Sequence, residues 1–318
     1  MNKKLLEFKN VFKEAFQTWL VLLKIMIPIS IIIKVLSEFG LIKIIANILA
    51  PFMSVVGLPG ELGLVWATAL ATNIYGSLLV FYTLSIENVY TISQVTVLSA
   101  IILVAHAFPI ELGIAKKAGN KLWFMFLLRF LCAFILGGIL NLIFSIFNLY
   151  RNPARILFSS NNYDNSIIGF ILRQLRNYFL ILLIILILLS IIKILKDSGI
   201  LDKFNIFLKP GLEKIGMSKE AAPIALIGIT LGISYGGGLI IKESKNGFLT
   251  KKDMFLSLSM MGLSHSLIED TILMITIGAS LVGILIGRII FTIVFMILLI
   301  RLINVLSNSI FLKYFVDK

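Results

Sequence analysis

Two short stretches hold the only two histidines of the chain, VAHAFPIEL at 104–112 and LSHSLIEDT at 263–271. Glu111 follows His106 by five residues, and Glu269 and Asp270 follow His265 by four and five. Imidazole can carry a proton near neutral pH or lend a lone pair to a metal, and a nearby carboxylate can do either with a negative charge. In hydrocarbon each such charge costs roughly 2.5–3.5 kcal/mol at the centre of a span, so it persists where it faces a partner, water or a solute. The pattern therefore predicts one midplane site in which His106 and Glu111 act with His265, Glu269 and Asp270 on a proton, a cation or a polar solute. For a metal, the expected ligands are His106, Glu111, His265 and Glu269. The competing reading is that these groups satisfy one another and freed backbone carbonyls. On a continuous helix Glu269 would share a face with His265, while Pro109 predicts a kink between His106 and Glu111.

The elements that must position these groups are membrane helices. The chain is 59% hydrophobic and 14% charged, with a mean hydropathy of +1.02, outside the soluble globular range. Runs such as 177–195 and 281–300 are long enough to cross a hydrocarbon core of about 30 Å. Their continuous apolar character points to helices rather than strands. The N-terminal MNKKLLEFKNVFKEAF reads as a basic amphipathic lead-in on the cytoplasmic face, not a cleavable signal. The single cysteine, Cys132, excludes a disulfide framework. The formal charge of +13 reads as topology-setting loop charge rather than a nucleic-acid surface.

Scarce residues recur 159 positions apart. His106 matches His265, Lys34 matches Lys193, Pro51 matches Pro210, Glu61 matches Glu220, and Arg129 matches Arg288. Tyr75-Gly76 matches Tyr235-Gly236 with a slip of one residue. The chain is thus expected to be two halves, 1–149 and 167–318, joined by a polar linker at 150–166. Each half has five segments. The first is apolar, at 17–36 and 177–195, and the second is short and amphipathic, at 200–215 in the second half. The third, at 61–84 and 220–242, is interrupted by small and polar residues. The fourth, at 91–115 and 253–277, carries the histidines, and the fifth, at 122–149 and 280–304, carries the arginines.

Lysine and arginine counts select among topologies. If the second segment lies in the interface and the third is a re-entrant hairpin, 18 of the 29 basic residues fall inside and 5 outside. Models in which more segments span separate the charges less well. Three crossings per half also give the halves opposite orientation, the plan of inverted-repeat secondary transporters. The expected fold is all-α integral membrane: an inverted repeat of transmembrane helix, interfacial helix, re-entrant hairpin and two transmembrane helices, about six spans and two hairpins. The expected location is the plasma membrane of a prokaryote, with both termini cytoplasmic.

The hairpin strings ATNIYGSLLVF (71–81) and GISYGGGLIIKE (232–243) look like the Gate, or nucleoside-recognition, family of membrane proteins. The element order resembles the core of concentrative nucleoside transporters, and the Gate family includes the gate segments of the bacterial ferrous-iron permease. TNIYGS (72–77) lacks the Gln/Thr/Glu-type cluster typical of nucleoside transporters, and the permease's gate cysteines are absent. The resemblance therefore implies a transporter-like core more than either substrate. Candidate ligand contacts at the hairpin tips are Asn73, Tyr75, Gly76 and Ser77, with Ser234, Tyr235, Gly236 and Gly237. Close helix packing is the alternative use of these small residues. Arg129 and Arg288 are candidate charge partners of the carboxylates or of an anionic solute, against the alternative of reaching to the interface.

The expected function is secondary transport of a small polar solute, nucleoside-like, coupled to H+ or Na+, with no resident cofactor. A divalent-metal permease and a non-transporting scaffold or signalling subunit are the other readings. An enzyme is not expected, because Ser264 and Ser266 flank His265 and adjacent helical side chains point apart. Expected partners are the bilayer and a small polar solute or metal ion, without nucleic acid, and with a homo-oligomer open.

Overall fold

The computed structural model describes residues 3–157, 166–245 and 248–317, without the side chains of 3–8, 234, 235, 244 and 245. Positions 158–165 of the expected linker lie outside this range. The described residues are helical, with no strand among them beyond two isolated bridges, Thr91–Pro153 and Asn120–Val316.

Seven helices precede the linker: α1 (Lys3–Glu38), α2 (Leu41–Val55), α3 (Leu62–Ala71), α4 (Ile74–Leu84), α5 (Ile92–Val104), α6 (Phe108–Lys117) and α7 (Leu122–Ile146). After it come α8 (Ile167–Asp197), α9 (Ile200–Lys214), α10 (Ala221–Leu231), α11 (Ile233–Lys245), α12 (Lys251–Leu263), α13 (Glu269–Ile275), α14 (Arg288–Val305) and α15 (Asn308–Tyr314). A π-helical turn, Val282–Gly287, leads into α14. The first seven helices recur in order 159 residues later, and their starts and stops are set by the same chemistry. Gly40 and Gly199, at φ +68° and +69°, let the chain turn from α1 into α2 and from α8 into α9. Thr91 with Gln94 and Thr250 with Asp253 form capping boxes that open α5 and α12.

Among the described residues, five stretches are long and apolar enough to cross a membrane: Lys9–Glu38, Ile92–Lys117 (α5 and α6 together), Leu122–Ile146, Ile167–Asp197 and Val282–Val305. The sequence predicts a sixth at 253–277. The chain there is divided, as at 105–107, into α12 and the seven-residue α13, because five residues centred on Ser266 leave the helix. Helices α1 and α8 pack against each other. Lys34 lies 5.6 Å over the Phe170 ring, and Ser30 donates to Gln174 (3.3 Å) and accepts from the Tyr178 hydroxyl (2.9 Å). The end of α1 thus meets the start of α8, so the two run antiparallel. Helices α5 and α12 lie in the core, with Val95–Val104 and Met254–Leu263 buried along their length. The outer faces of α1, α7, α8 and α14 expose large apolar side chains, as a lipid-facing surface requires.

Candidate functional site

The site is built where two helices stop. Helix α5 ends at Val104 and α6 begins at Phe108, while α12 ends at Leu263 and α13 begins at Glu269. Ala107 and Ser266 both take φ +47°, a left-handed conformation that costs a residue with a Cβ roughly 1–2 kcal/mol. Pro109 sits in the first turn of α6, where its missing N–H removes no helical bond. The expected kink is therefore a full interruption, made in both halves.

A broken helix leaves carbonyls without partners, and each break receives one buried arginine. Arg129 on α7 donates from Nε to the Val104 carbonyl (2.9 Å) and from Nη2 to that of His106 (3.2 Å). Arg288 donates to the carbonyls of Leu263 and His265, both at 3.0 Å. The two are 1% and 0% exposed, so neither reaches the interface. The guanidiniums also place positive charge at the negative ends of the α5 and α12 dipoles. From the other side, the Ala107 amide donates to the Ala69 carbonyl at the end of α3. The Leu267 amide donates likewise to Ile229 near the end of α10, both at 2.9 Å.

This scaffold brings the histidines together. Their Nε2 atoms are 3.3 Å apart, and Glu111 Oε1 stands 3.3 Å from the first and 3.2 Å from the second. The Nδ1 atoms lie 2.8 Å from the Ile102 and Met261 carbonyls, four residues back in each case. A carbonyl only accepts, so each Nδ1 is the donor, and a neutral ring carries its lone pair on Nε2. Two lone pairs and a carboxylate oxygen therefore converge on one point, an arrangement suited to a cation, either a proton or a metal. The other Glu111 oxygen, Oε2, pairs with Arg129 Nη1. A carboxylate oxygen of Asp270 lies within 4.8 Å of the imidazole nitrogens. Asp270 Oδ2 and Arg288 Nη1 are each buried without a hydrogen-bond partner.

His106, Glu111, His265, Asp270, Arg129 and Arg288 thus converge. Glu269 does not join them. With the helix broken after Leu263, spacing of four no longer puts it beside His265, and it accepts instead from the Tyr75 hydroxyl (3.2 Å). The second acidic group near the imidazoles is Asp270, where the spacing on a continuous helix favoured Glu269. At the first tip, Asn73 accepts from the Gly76 amide and caps α4, and Ser77 donates to the Ile74 carbonyl. At the second, a Cβ on Gly236 would come within 2.6 Å of Gly228 Cα, and one on Gly237 within 2.3 Å of Ile114. These glycines let α11 approach α10 and α6. The side chains of Ser234 and Tyr235 lie outside the described residues. One contributor went unread in the sequence: Trp66, whose indole donates to the Ala105 carbonyl at the first break (3.1 Å). Position 225 holds alanine, so the repeat carries no sign of it.

The family described as nucleoside recognition, Gate, matches residues 19–121 and 178–285, both halves and both breaks. The chain is 25% identical over 270 residues to the uncharacterized membrane protein YvoD of Bacillus subtilis (strain 168), covering 83% of this chain and 84% of that one. No solved structure matches it.

Proposed function

Because the chain belongs to the Gate, or nucleoside recognition, family of membrane proteins, we propose that it is a secondary transporter for a small polar, nucleoside-like solute. The solute crosses with H+ or another cation that occupies the His106–His265 centre. The observation that carries this reading is the centre itself: one histidine from each half, buried at two helix breaks, with acceptors converging on a single point.

Three features support an inverted repeat as its frame. Helices recur 159 residues apart, and the equivalent helices α1 and α8 run antiparallel. Trp19 donates to the Tyr178 carbonyl and His106 meets His265, each residue touching its own counterpart, as happens close to a two-fold axis. Helices α3, α4, α10 and α11, of 10 to 13 residues, are about 15–20 Å long. That is too short to cross about 30 Å of hydrocarbon, which favours two re-entrant hairpins ending on the breaks.

In an inverted repeat, the inward- and outward-facing states arise when the halves exchange conformations. Here Glu111 is held by Arg129 and faces both histidines, while Asp270, close to the same imidazoles, makes no closed ion pair with Arg288 among the described residues. In the opposite state Asp270 closes on the histidines and pairs with Arg288, and Glu111 withdraws. The loop-charge count supports cytoplasmic placement of both termini, and the reading sets the protein in the plasma membrane of a prokaryote. Uptake by proteoliposomes from a nucleoside panel under imposed H+ or Na+ gradients tests the reading. Gradient-driven accumulation that His106→Ala abolishes is expected; a panel in which no solute moves overturns it. That the cation is itself the cargo is the second reading, favoured by the spacing analysed next.

A further inference from the structure

We propose that His106, His265 and Glu111 form a tetrahedral site for a divalent first-row transition-metal ion, with Asp270 at the fourth position. The spacing fits such an ion. Four ligands at 2.0–2.1 Å in a tetrahedron lie about 3.3–3.4 Å apart. The Nε2–Nε2 and two Nε2–Oε1 separations are 3.3, 3.3 and 3.2 Å. A hydrogen bond between charged and neutral rings would draw the nitrogens to about 2.7–2.9 Å, so the triangle is wide for a shared proton. An octahedral ion with bonds of 2.0–2.1 Å would draw neighbouring ligands to about 2.9 Å. Two imidazoles also disfavour Na+, Mg2+ and Ca2+, which take oxygen ligands, and suit zinc, iron, cobalt or nickel.

The surroundings match what a metal centre needs. Each ligating ring donates its other N–H to a backbone carbonyl, which fixes ring orientation and the lone pair on Nε2. Arg129 holds Oε2 of Glu111 and leaves Oε1 as a single donor. Helices α5 and α12 end at the centre, so both bring carbonyl-rich, negative ends toward a cation. Asp270, 7% exposed and with Oδ2 unpartnered, stands where it can ligate directly or hold a metal-bound water.

Whether the metal is cargo or coupling ion rests on the transport reading, but binding is measured without transport. The full chain, stripped of metal in detergent micelles, is titrated with Co2+. The expected result is the intense visible absorption of tetrahedral Co2+, saturating and displaced by Zn2+. His106→Ala and His265→Ala should abolish it, and Glu111→Gln should weaken Co2+ at least about 10-fold. Asp202→Asn, an exposed acid on α9, should leave it intact. X-ray absorption on the Co2+-loaded wild type needs no variant and should report four nitrogen or oxygen neighbours, two of them imidazoles. No absorption change, six-coordinate Co2+, or binding that survives both histidine substitutions overturns the site. Intact nucleoside uptake with no Co2+ binding would sink the metal site alone; Co2+ binding with no solute uptake would sink the solute reading alone.

Discussion

The two breaks share a backbone plan and differ in what fills them. Behind the first, Trp66 stacks on Phe130 at 5.3 Å, meets Phe134 edge-on at 5.0 Å and covers the Ala105 carbonyl. Behind the second, Ala225, Ile289 and Ile293 occupy the corresponding positions. The volume lost from three aromatic side chains leaves a cleft lined by Leu226, Ile229, Ser264, Leu267, Ile289 and Ile293. Electrostatics follow the same division. The first half closes its carboxylate–guanidinium pair, Glu111 with Arg129, whereas no such ion pair joins Asp270 to Arg288 among the described residues. The comparison teaches that one half of a duplicated frame can be packed to hold while the other is left able to move. Loosely packed regions open at lower free energy.

Four substitutions can break or sharpen that contrast. Arg129→Ala strands the Glu111 carboxylate and should cost about 4 kcal/mol, by the measure of broken buried pairs. Arg288→Ala loses two carbonyl bonds and a charge beside Asp270 but breaks no closed ion pair, and should cost about 2 kcal/mol. Reversible unfolding in mixed micelles compares them, and equal losses would erase the difference between the halves. Trp66→Ala should cost about 3 kcal/mol and Leu226→Ala, beside space already open, about 2 kcal/mol. The order can be checked by thermal melting of the two purified variants.

The hairpins give a smaller contrast. Gly236→Ala drives a Cβ toward Gly228 backbone and should cost about 2 kcal/mol. Gly76→Ala meets only the side-chain ends of Ile29 and Thr72 and should cost about half that. Limited proteolysis or melting of the pair would show whether the second hairpin is the tighter one. The smallest effect expected is about 1 kcal/mol for Tyr75→Phe, which removes one hydrogen bond to Glu269. A cycle with Glu269→Gln should show the two changes to be non-additive; additivity would mean the bond contributes nothing.

Much of this frame was legible because duplication makes scarce residues repeat. His106/His265 and Arg129/Arg288 mark both breaks, and Pro109 marks one of them. The five-residue spacing from histidine to Glu111 and Asp270 matches the two acids that lie beside the imidazoles. The helical rule, which favoured Glu269, assumed a helix that the chain interrupts. Trp66 was hidden because its role depends on a carbonyl exposed by that interruption, and no local pattern encodes a tertiary bond of this kind. The tip glycines read ambiguously, since close packing and ligand contact call for the same small residues. The structure places Gly236 and Gly237 against neighbouring helices.

The central claim is that the two histidines make one cation centre shared between the halves. Metal stoichiometry tests it most directly: Zn2+ retained per chain after equilibration and desalting, by elemental mass spectrometry. The account predicts one Zn2+ per wild-type chain, and none when either His106 or His265 is replaced by alanine. Two Zn2+ per chain, or single variants that each keep one, would contradict it.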